Sequence, residues 1–417
     1  MRRGLWILAL IVAAAPAAFA TNGYFMHGVG TASKAMAGAS SALPQEALDV
    51  ETNPAAGVFV NRGYSLSMAL FNPDRSYTVT GNPSGYPQTF GLAPGKVSSK
   101  SNYFPMPSVG WNMRPNEKSA VTINFTAHGG MNTDYRTATF YGSNHTGVDL
   151  AQMFLTATYS RKITLNQSLG ISAILAGQRF KASGLEAFAA FSSDPSCLTG
   201  NGYKWSKGMG VKVGYLARPM PKLQIGASYT PTIKMSKLGA YCGLFAQDGR
   251  FNIPATTTAG VSYAVIEPVT LAAEYQRIQY SDVASVSNPL LPNLMLSPLG
   301  TNGGAGFGWR DVNVYKLGLQ WKANETWTWR AGYSTTQQPI PSSEVLFNIL
   351  APGVVEDHIT FGFSKSLDRA PGRFNMALMY ALPKSVTGPN PLEAPGVQQI
   401  QLKMREFEIE FGYSFGF

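Results

Sequence analysis

Charge is scarce in this chain: Asp, Glu, Lys and Arg make up only 13% of it, against about 25% in an average globular protein. Long apolar runs are scarce as well. After the first twenty residues no stretch approaches the roughly 18 apolar residues of a membrane helix, which excludes a bundle of spanning helices. Catalytic signatures are missing: there is no G-x-S-x-G, no H-E-x-x-H and no complete Walker motif, because GLAPGKV lacks both the spacing and the Ser/Thr. His27, His128, His145 and His358 are scattered along the chain. No catalytic residue, metal or cofactor is expected, and the chain does not read as an enzyme. A membrane-embedded Ser/His lipid hydrolase is the enzyme-class alternative. Phospholipid hydrolysis by the purified protein would reveal it. Cysteine is limited to Cys197 and Cys242.

What the chain does have is 43 Gly, 27 Pro and 49 aromatics (23 Phe, 19 Tyr, 7 Trp). The opening MRRGLWILALIVAAAPAAFA has a basic start, an apolar run over 5–15 and Ala18-Phe19-Ala20 before Thr21. That is the pattern of a secretory signal peptide cut after Ala20. A membrane anchor is the other reading, but the run is short for one. Net charge is +10. Without Arg2 and Arg3 it is 31 minus 23, or +8. No long basic run is present and the chain is exported, which argues against nucleic acid. The excess suits either the lipopolysaccharide of an outer membrane or simple solubilisation.

The ending REFEIEFGYSFGF alternates strictly. Phe407, Ile409, Phe411, Tyr413, Phe415 and Phe417 share one face, and Glu408, Glu410, Gly412, Ser414 and Gly416 the other. A period of two is a β-strand with unlike faces, which fits either a soluble sheet or a strand between lipid and a wet lumen. The pattern recurs fourteen times, from Tyr64-Leu66-Met68-Leu70 through Val121-Ile123-Phe125-Ala127 to this last segment. Short connections (114–117, 163–166, 218–221, 266–268, 323–325, 368–372) alternate with long ones (72–101, 130–149, 184–203, 235–252, 282–307, 339–354, 384–399). An even strand count with tight turns at one end and long loops at the other is the rhythm of an outer-membrane barrel. A soluble sandwich has no reason to keep its long loops at one end. The last strand must then pair with the first, because an open sheet edge is not tolerated in lipid.

Between the cleavage site and the first strand lies TNGYFMHGVGTASKAMAGASSALPQEALDVETNPAAGVFV. It has no period of two, is rich in Ala, Gly and Ser, and carries Phe25, Met26, Met36, Leu43 and Leu48. A barrel of fourteen strands has an interior that side chains alone do not fill, and this segment is suited to plug it. Here the chain resembles the FadL/TodX family of outer-membrane transporters. The matching features are Asn22-Gly23-Tyr24, Gly28, Gly30, Gly38, Asn53-Pro54-Ala55 and the stretch GGMNTDY at 129–135. The reading is therefore all-β: a 14-stranded antiparallel transmembrane β-barrel plugged by a small N-terminal hatch. Its parts are a signal peptide (1–20), a hatch (21–60) and a barrel (61–417), as a monomer in the outer membrane of a Gram-negative bacterium.

The resemblance implies passive uptake of long-chain fatty acids or similar hydrophobic molecules. They would be captured at external loops, held above the hatch and released sideways at a kinked third strand. A general diffusion porin is the second alternative, and it would conduct ions freely. The capture candidates are Leu185, Phe188 and Phe191 in loop 184–203, and Leu238, Leu244 and Phe245 in loop 235–252. Apolar side chains there form either a packed cap or a greasy capture groove. Phe25 and Met26 would meet the ligand from the hatch. Lys316 and Arg330, like Lys322, Glu274, Glu408 and Glu410, fall between lipid-facing residues and point inward. They either brace the lumen as ion pairs or leave a cation for a carboxylate. Asn53, Pro54 and Ala55 are expected at the gate, with Asn53 bonded to the wall near the kink. Gly129 and Gly130 either bend the third strand or start the next loop. Cys197 and Cys242 lie in the two capture loops, and a disulfide between them would suit an oxidising compartment.

Overall fold

The structure is a computed structural model, and it describes residues 22–367 and 372–416. The signal-peptide reading of 1–20, most of the turn at 368–372 and the terminal Phe417 lie outside the described residues.

Among the described residues the strands in chain order are β1 (Gly63–Thr80), β2 (Gly95–Ser98), β3 (Phe104–Asn116), β4 (Ser119–Asn132), β5 (Gly147–Lys162), β6 (Gln167–Ser183), β7 (Lys204–Met220) and β8 (Leu223–Thr230). They continue as β9 (Thr256–Ile266), β10 (Val269–Ile278), β11 (Val312–Lys322), β12 (Trp327–Thr336), β13 (Asp357–Ser366), β14 (Arg373–Pro389) and β15 (Gln399–Gly416). Each pairs antiparallel with its neighbours, and β15 returns to β1. The short β2 pairs only with β1, on the edge β3 uses lower down, and the other fourteen strands close the barrel. All fourteen alternating segments of the sequence fall on these strands. Closure sets Leu66 opposite Tyr413, Met68 opposite Phe411 and Leu70 opposite Ile409.

The outward face carries an exposed apolar belt, including Leu66, Met68, Ile171, Leu175, Leu317, Phe361 and Phe411. In water such a band would be an aggregation surface; against hydrocarbon it is the stable one. At the end bearing the tight turns the aromatics gather into a girdle. Trp327 stacks on Trp329 at 5.5 Å, and Tyr64 on Trp111 at 5.7 Å.

The inward face divides into two zones. Towards the tight turns it is small and polar: Ser65 and Ser67 on β1, Thr156, Thr158 and Ser160 on β5, Ser168 and Ser172 on β6. Towards the long loops it is apolar: Tyr77, Val79, Leu150, Phe154, Phe180, Val314, Ile400 and Leu402. On β1 and β15 the outward residues at this height are Asn72, Asp74, Lys403 and Arg405, with Arg405 Nε 2.9 Å from Asp74 Oδ2. The period of two thus continues above the membrane with its phase reversed. This corrects two expected loops. β1 runs on to Thr80 and β14 to Pro389, well into the segments 72–101 and 384–399, because following only the lipid-facing phase loses a strand once that phase turns polar.

Residues 22–62 fold inside the lower, polar zone. They contain a helical turn (Thr31–Lys34) and two 3-10 turns (Ala47–Glu51, Pro54–Val58), nearly all buried. The segment is bonded to the wall all round. Thr31 Oγ1 donates to Glu410 at 2.7 Å, and Lys34 Nζ lies 2.9 Å from Glu408 and 2.6 Å from Glu410. Ser160 donates to the Pro54 carbonyl, Ser168 to that of Ala55 and Ser262 to that of Ala42. Inward glycines let backbone touch backbone: a Cβ on Gly170 would lie 2.1 Å from the Pro54 carbonyl carbon.

Candidate functional site

The apolar zone is the roof of the lumen, and the predicted capture residues gather there. Leu185, Phe188, Leu238 and Phe245 are buried, and Phe191 and Leu244 are half-buried against the same core. They are packed rather than splayed: Phe188 lies 5.1 Å from Phe347 and 5.4 Å from Phe140, and Phe245 lies 4.6 Å from Phe180. The side chains pack against one another as an apolar cap over a narrow, partly open cavity. Leu185, Phe188, Leu244 and Phe245 line this cavity, of about 30 Å³. The other side comes from Leu299, Phe307 and Phe347, on loops 282–307 and 339–354, which sequence reasoning left out. The signal was present, since those loops are as apolar as the two chosen.

Below this chamber lies an aromatic floor. Asn22 and Phe25 pair across a tight turn at Gly23-Tyr24. Tyr280 Oη donates to the Asn22 carbonyl at 2.5 Å. Gly23 has a φ of +71°, and a Cβ there would meet Tyr280 Oη at 2.5 Å, so only glycine fits. Tyr24 packs 5.2 Å from Tyr280 and 5.8 Å from Trp309. Tyr280 and Trp309 are functional-zone residues not singled out by sequence, because both stand in long connections between strands.

The turn docks on a break in the wall. β3 and β4 pair from Asn116–Ser119 up to Val109–Phe125 and no further. Above that point β3 stays with β1 and β4 with β5, and β4 is bulged between Ala127 and Gly129. The free edge of β4 is taken by the N-terminal turn: Phe25 bridges Gly129, Gly130 N donates to the Tyr24 carbonyl at 2.9 Å and Met26 N to that of His128 at 3.4 Å. A Cβ on Gly129 would lie 2.6 Å from the Tyr24 carbonyl oxygen. Of the two readings of these glycines, the structure shows a bend within the strand. Arg75 on β1 reaches over the break and donates to the carbonyls of Asn132 and Ser101.

The remaining predicted residues stand elsewhere. Asn53 does bond to the wall, donating to the Tyr215 carbonyl at 2.9 Å and to that of Ser41 at 2.8 Å, while its Oδ1 accepts from Ala55 N. Tyr215 lies on β7, three strands from β4, so the expected nearness to the kink is corrected: Tyr24 and Phe25 hold that place. Lys316 Nζ is paired with Glu274 at 2.9 Å. Arg330 donates to Gln45, Gln320 and Ser364. Both cations brace the lower lumen, and neither is left for a carboxylate. Ser334 Oγ and His358 Nδ1 are 3.2 Å apart, but both are fully buried against the hatch.

Cys197 and Cys242 are brought together but stand as free thiols, so the expected bond is not formed in this structure. Their sulfurs and an Asp194 oxygen all lie within 4.8 Å of one another. Asp194 Oδ2 is 3.5 Å from Cys197 Sγ and 3.8 Å from Cys242 Sγ. Burial, the neighbouring Cys197 and the Asp194 charge push the Cys242 thiol up to about 12. Hydrogen bonds from the Ser196 hydroxyl and amide hold Asp194 below the usual carboxylate range.

A closed barrel with a lipid-facing belt, a filled lower lumen and an apolar upper chamber defines an outer-membrane transport protein for hydrophobic compounds. Comparison with known families agrees: residues 7–349 match the outer membrane protein transport family described as OMPP1/FadL/TodX, and the chain belongs to it. Its fold is that of the Pseudomonas aeruginosa FadL homologue (TM-score 0.70, 17% identity, 95% of this chain and 100% of that one). It is also that of the P. putida toluene transporter TodX (0.64, 17%, 94% and 99%) and the Ralstonia pickettii toluene transporter TbuX (0.60, 17%, 93% and 99%). No curated protein matches the chain. As a member of this family it resides in the outer membrane of a Gram-negative bacterium.

Proposed function

We propose that the chain carries hydrophobic small molecules, long-chain fatty acids or compounds of similar apolarity, passively across the outer membrane. In this reading residues 1–20 are removed on export, 21–60 form the hatch and 61–417 the barrel. Cargo enters at loops 184–203 and 235–252 and is held in the apolar zone, whose narrow cavity widens to admit it. It leaves sideways between β3 and β4 when the Asn22–Met26 turn shifts. The observation that carries this is the lapse of pairing above Val109–Phe125 where the hatch occupies the β4 edge. A lateral path keeps the cargo out of the aqueous periplasm, where each exposed methylene costs ~0.8 kcal/mol.

The test is a lock on the gap. Continuing the register places Ser108 opposite Thr126. Ser108→Cys with Thr126→Cys, in a Cys197→Ser/Cys242→Ser background, should cross-link the two strands. Whole-cell uptake of a labelled hydrophobic compound should fall when the link is oxidised and return on reduction. Undiminished uptake through a verified cross-link would refute the lateral route.

A further inference from the structure

A second cavity, of about 80 Å³, lies between the hatch and the wall beside the β4 bulge. Its lining mixes polar and apolar side chains. His27 Nδ1 and Nε2, His128 Nε2, Gln276 Oε1 and Glu51 Oε2 are all buried and all without a hydrogen-bond partner. Buried polar atoms are rarely left unpaired, so a polar group entering this void would meet several hydrogen-bonding partners. Two or three waters fit the volume, and so does one small polar group.

The balance of donors and acceptors says which group. Glu51 Oε2 and Gln276 Oε1 only accept, and a neutral imidazole offers one donor and one acceptor. The cations of the cavity are engaged: Lys212 lies 3.0 Å from Glu51 Oε1, and Lys316 lies 2.9 Å from Glu274 Oε1. A carboxylate would bring more lone pairs to a site already rich in them. A hydroxyl supplies one donor and accepts in return. The position fits an amphiphile. Phe25 lines this cavity and belongs to the apolar core above it, and Met26 packs against that core. The main-chain bonds holding them are long, 3.5 Å for Phe25 N and 3.4 Å for Met26 N.

We propose that this cavity is a subsite for the hydroxyl group of an otherwise apolar cargo, such as a long-chain alcohol or an alkylated phenol, whose tail lies in the chamber above Phe25. The assignment rests on the transport reading and narrows its substrate class. The decisive measurement uses the full-length protein in lipid nanodiscs, with empty nanodiscs subtracted, and equilibrium binding of labelled 1-dodecanol, dodecane and dodecanoate. Dodecanol should bind at least tenfold more tightly than either of the others. Gln276 Oε1 has no hydrogen-bond partner in the structure, so Gln276→Leu should fold normally and bring dodecanol down to the affinity of dodecane. Glu51→Gln, which keeps the shape, should weaken dodecanol and relax the rejection of dodecanoate. Equal binding of the three compounds would overturn the hydroxyl subsite and leave the transport reading standing. So would an unchanged dodecanol preference in Gln276→Leu, which would make the cavity a water site. Failure to bind or take up any of the three would count against the transport reading itself.

Discussion

At the scale of single residues, the thiol pair gives the sharpest expectation. With their sulfurs within 4.8 Å, Cys197 and Cys242 need little movement to bond. Each thiol gives up a proton and one electron, and an oxidised dithiol–disulfide exchange protein of the periplasm takes up both. The bond would close a loop of about 45 residues, worth ~4 kcal/mol in the chain-entropy model, and tie together the two loops that carry the cap. Non-reducing peptide mapping of protein purified from membranes should find the cross-linked pair; two free thiols would end the idea. The pH behaviour separates the two forms. A thiol held up to about 12 in the fold but near 8.5 when unfolded stabilises the folded loop below pH ~8.5. That contribution is lost as pH rises towards 12. Protease resistance of the loops should therefore fall across that window in the reduced protein and stay level in the oxidised one. Lys34 is a second case. It faces two buried carboxylates, Glu408 and Glu410, and Lys34→Met leaves both uncompensated. A loss of about 3–5 kcal/mol is expected for breaking such a pair, read as a lower melting temperature. Asn53→Ala removes three hydrogen bonds within the hatch and to β7. The barrel should still form, and single-channel recordings should show more ion leak.

At the scale of elements, β4 is where the wall gives way, and its glycines are spaced to admit another backbone. Gly129→Val would drive a side chain towards the Tyr24 carbonyl, 2.6 Å from the Cβ position. The N-terminal turn should be expelled from the β4 edge, and whole-cell uptake should change while ligand binding in the upper chamber persists. Uptake at the normal rate, with the displaced turn confirmed by structure, would count against a gate at this edge. The strands themselves were legible in the sequence because lipid-facing residues alternate without interruption, as in Phe407-Ile409-Phe411. Their upper ends were not, because Ile400, Leu402 and Met404 carry the apolar phase on the opposite face. That phase belongs to the chamber and not to the membrane. The candidate site was half legible for the same kind of reason. Loop residues such as Phe188 and Phe245 stood out as apolar where water was expected. The floor formed by Tyr24, Tyr280 and Trp309 depends on contacts across more than 250 positions of chain, which no local pattern encodes.

At the scale of the whole molecule, the lumen is built in two zones. The polar zone is largely filled by the hatch, and the apolar zone above it is lined by strand ends and loops. The ion pairs of the hatch also bear on how the molecule is made. Lys34 and Thr31 bind the carboxylates of β15, and β15 in turn seals against β1. Those glutamates face inward and would otherwise be charges without partners. The N-terminal segment thus supplies the counter-charges at the strand that seals the barrel. A protein lacking residues 22–60 should be slow to close and prone to remain an unsealed sheet, visible as loss of the heat-resistant compact form on gels. Supplying Glu408→Gln and Glu410→Gln in that truncated chain should restore part of the closure.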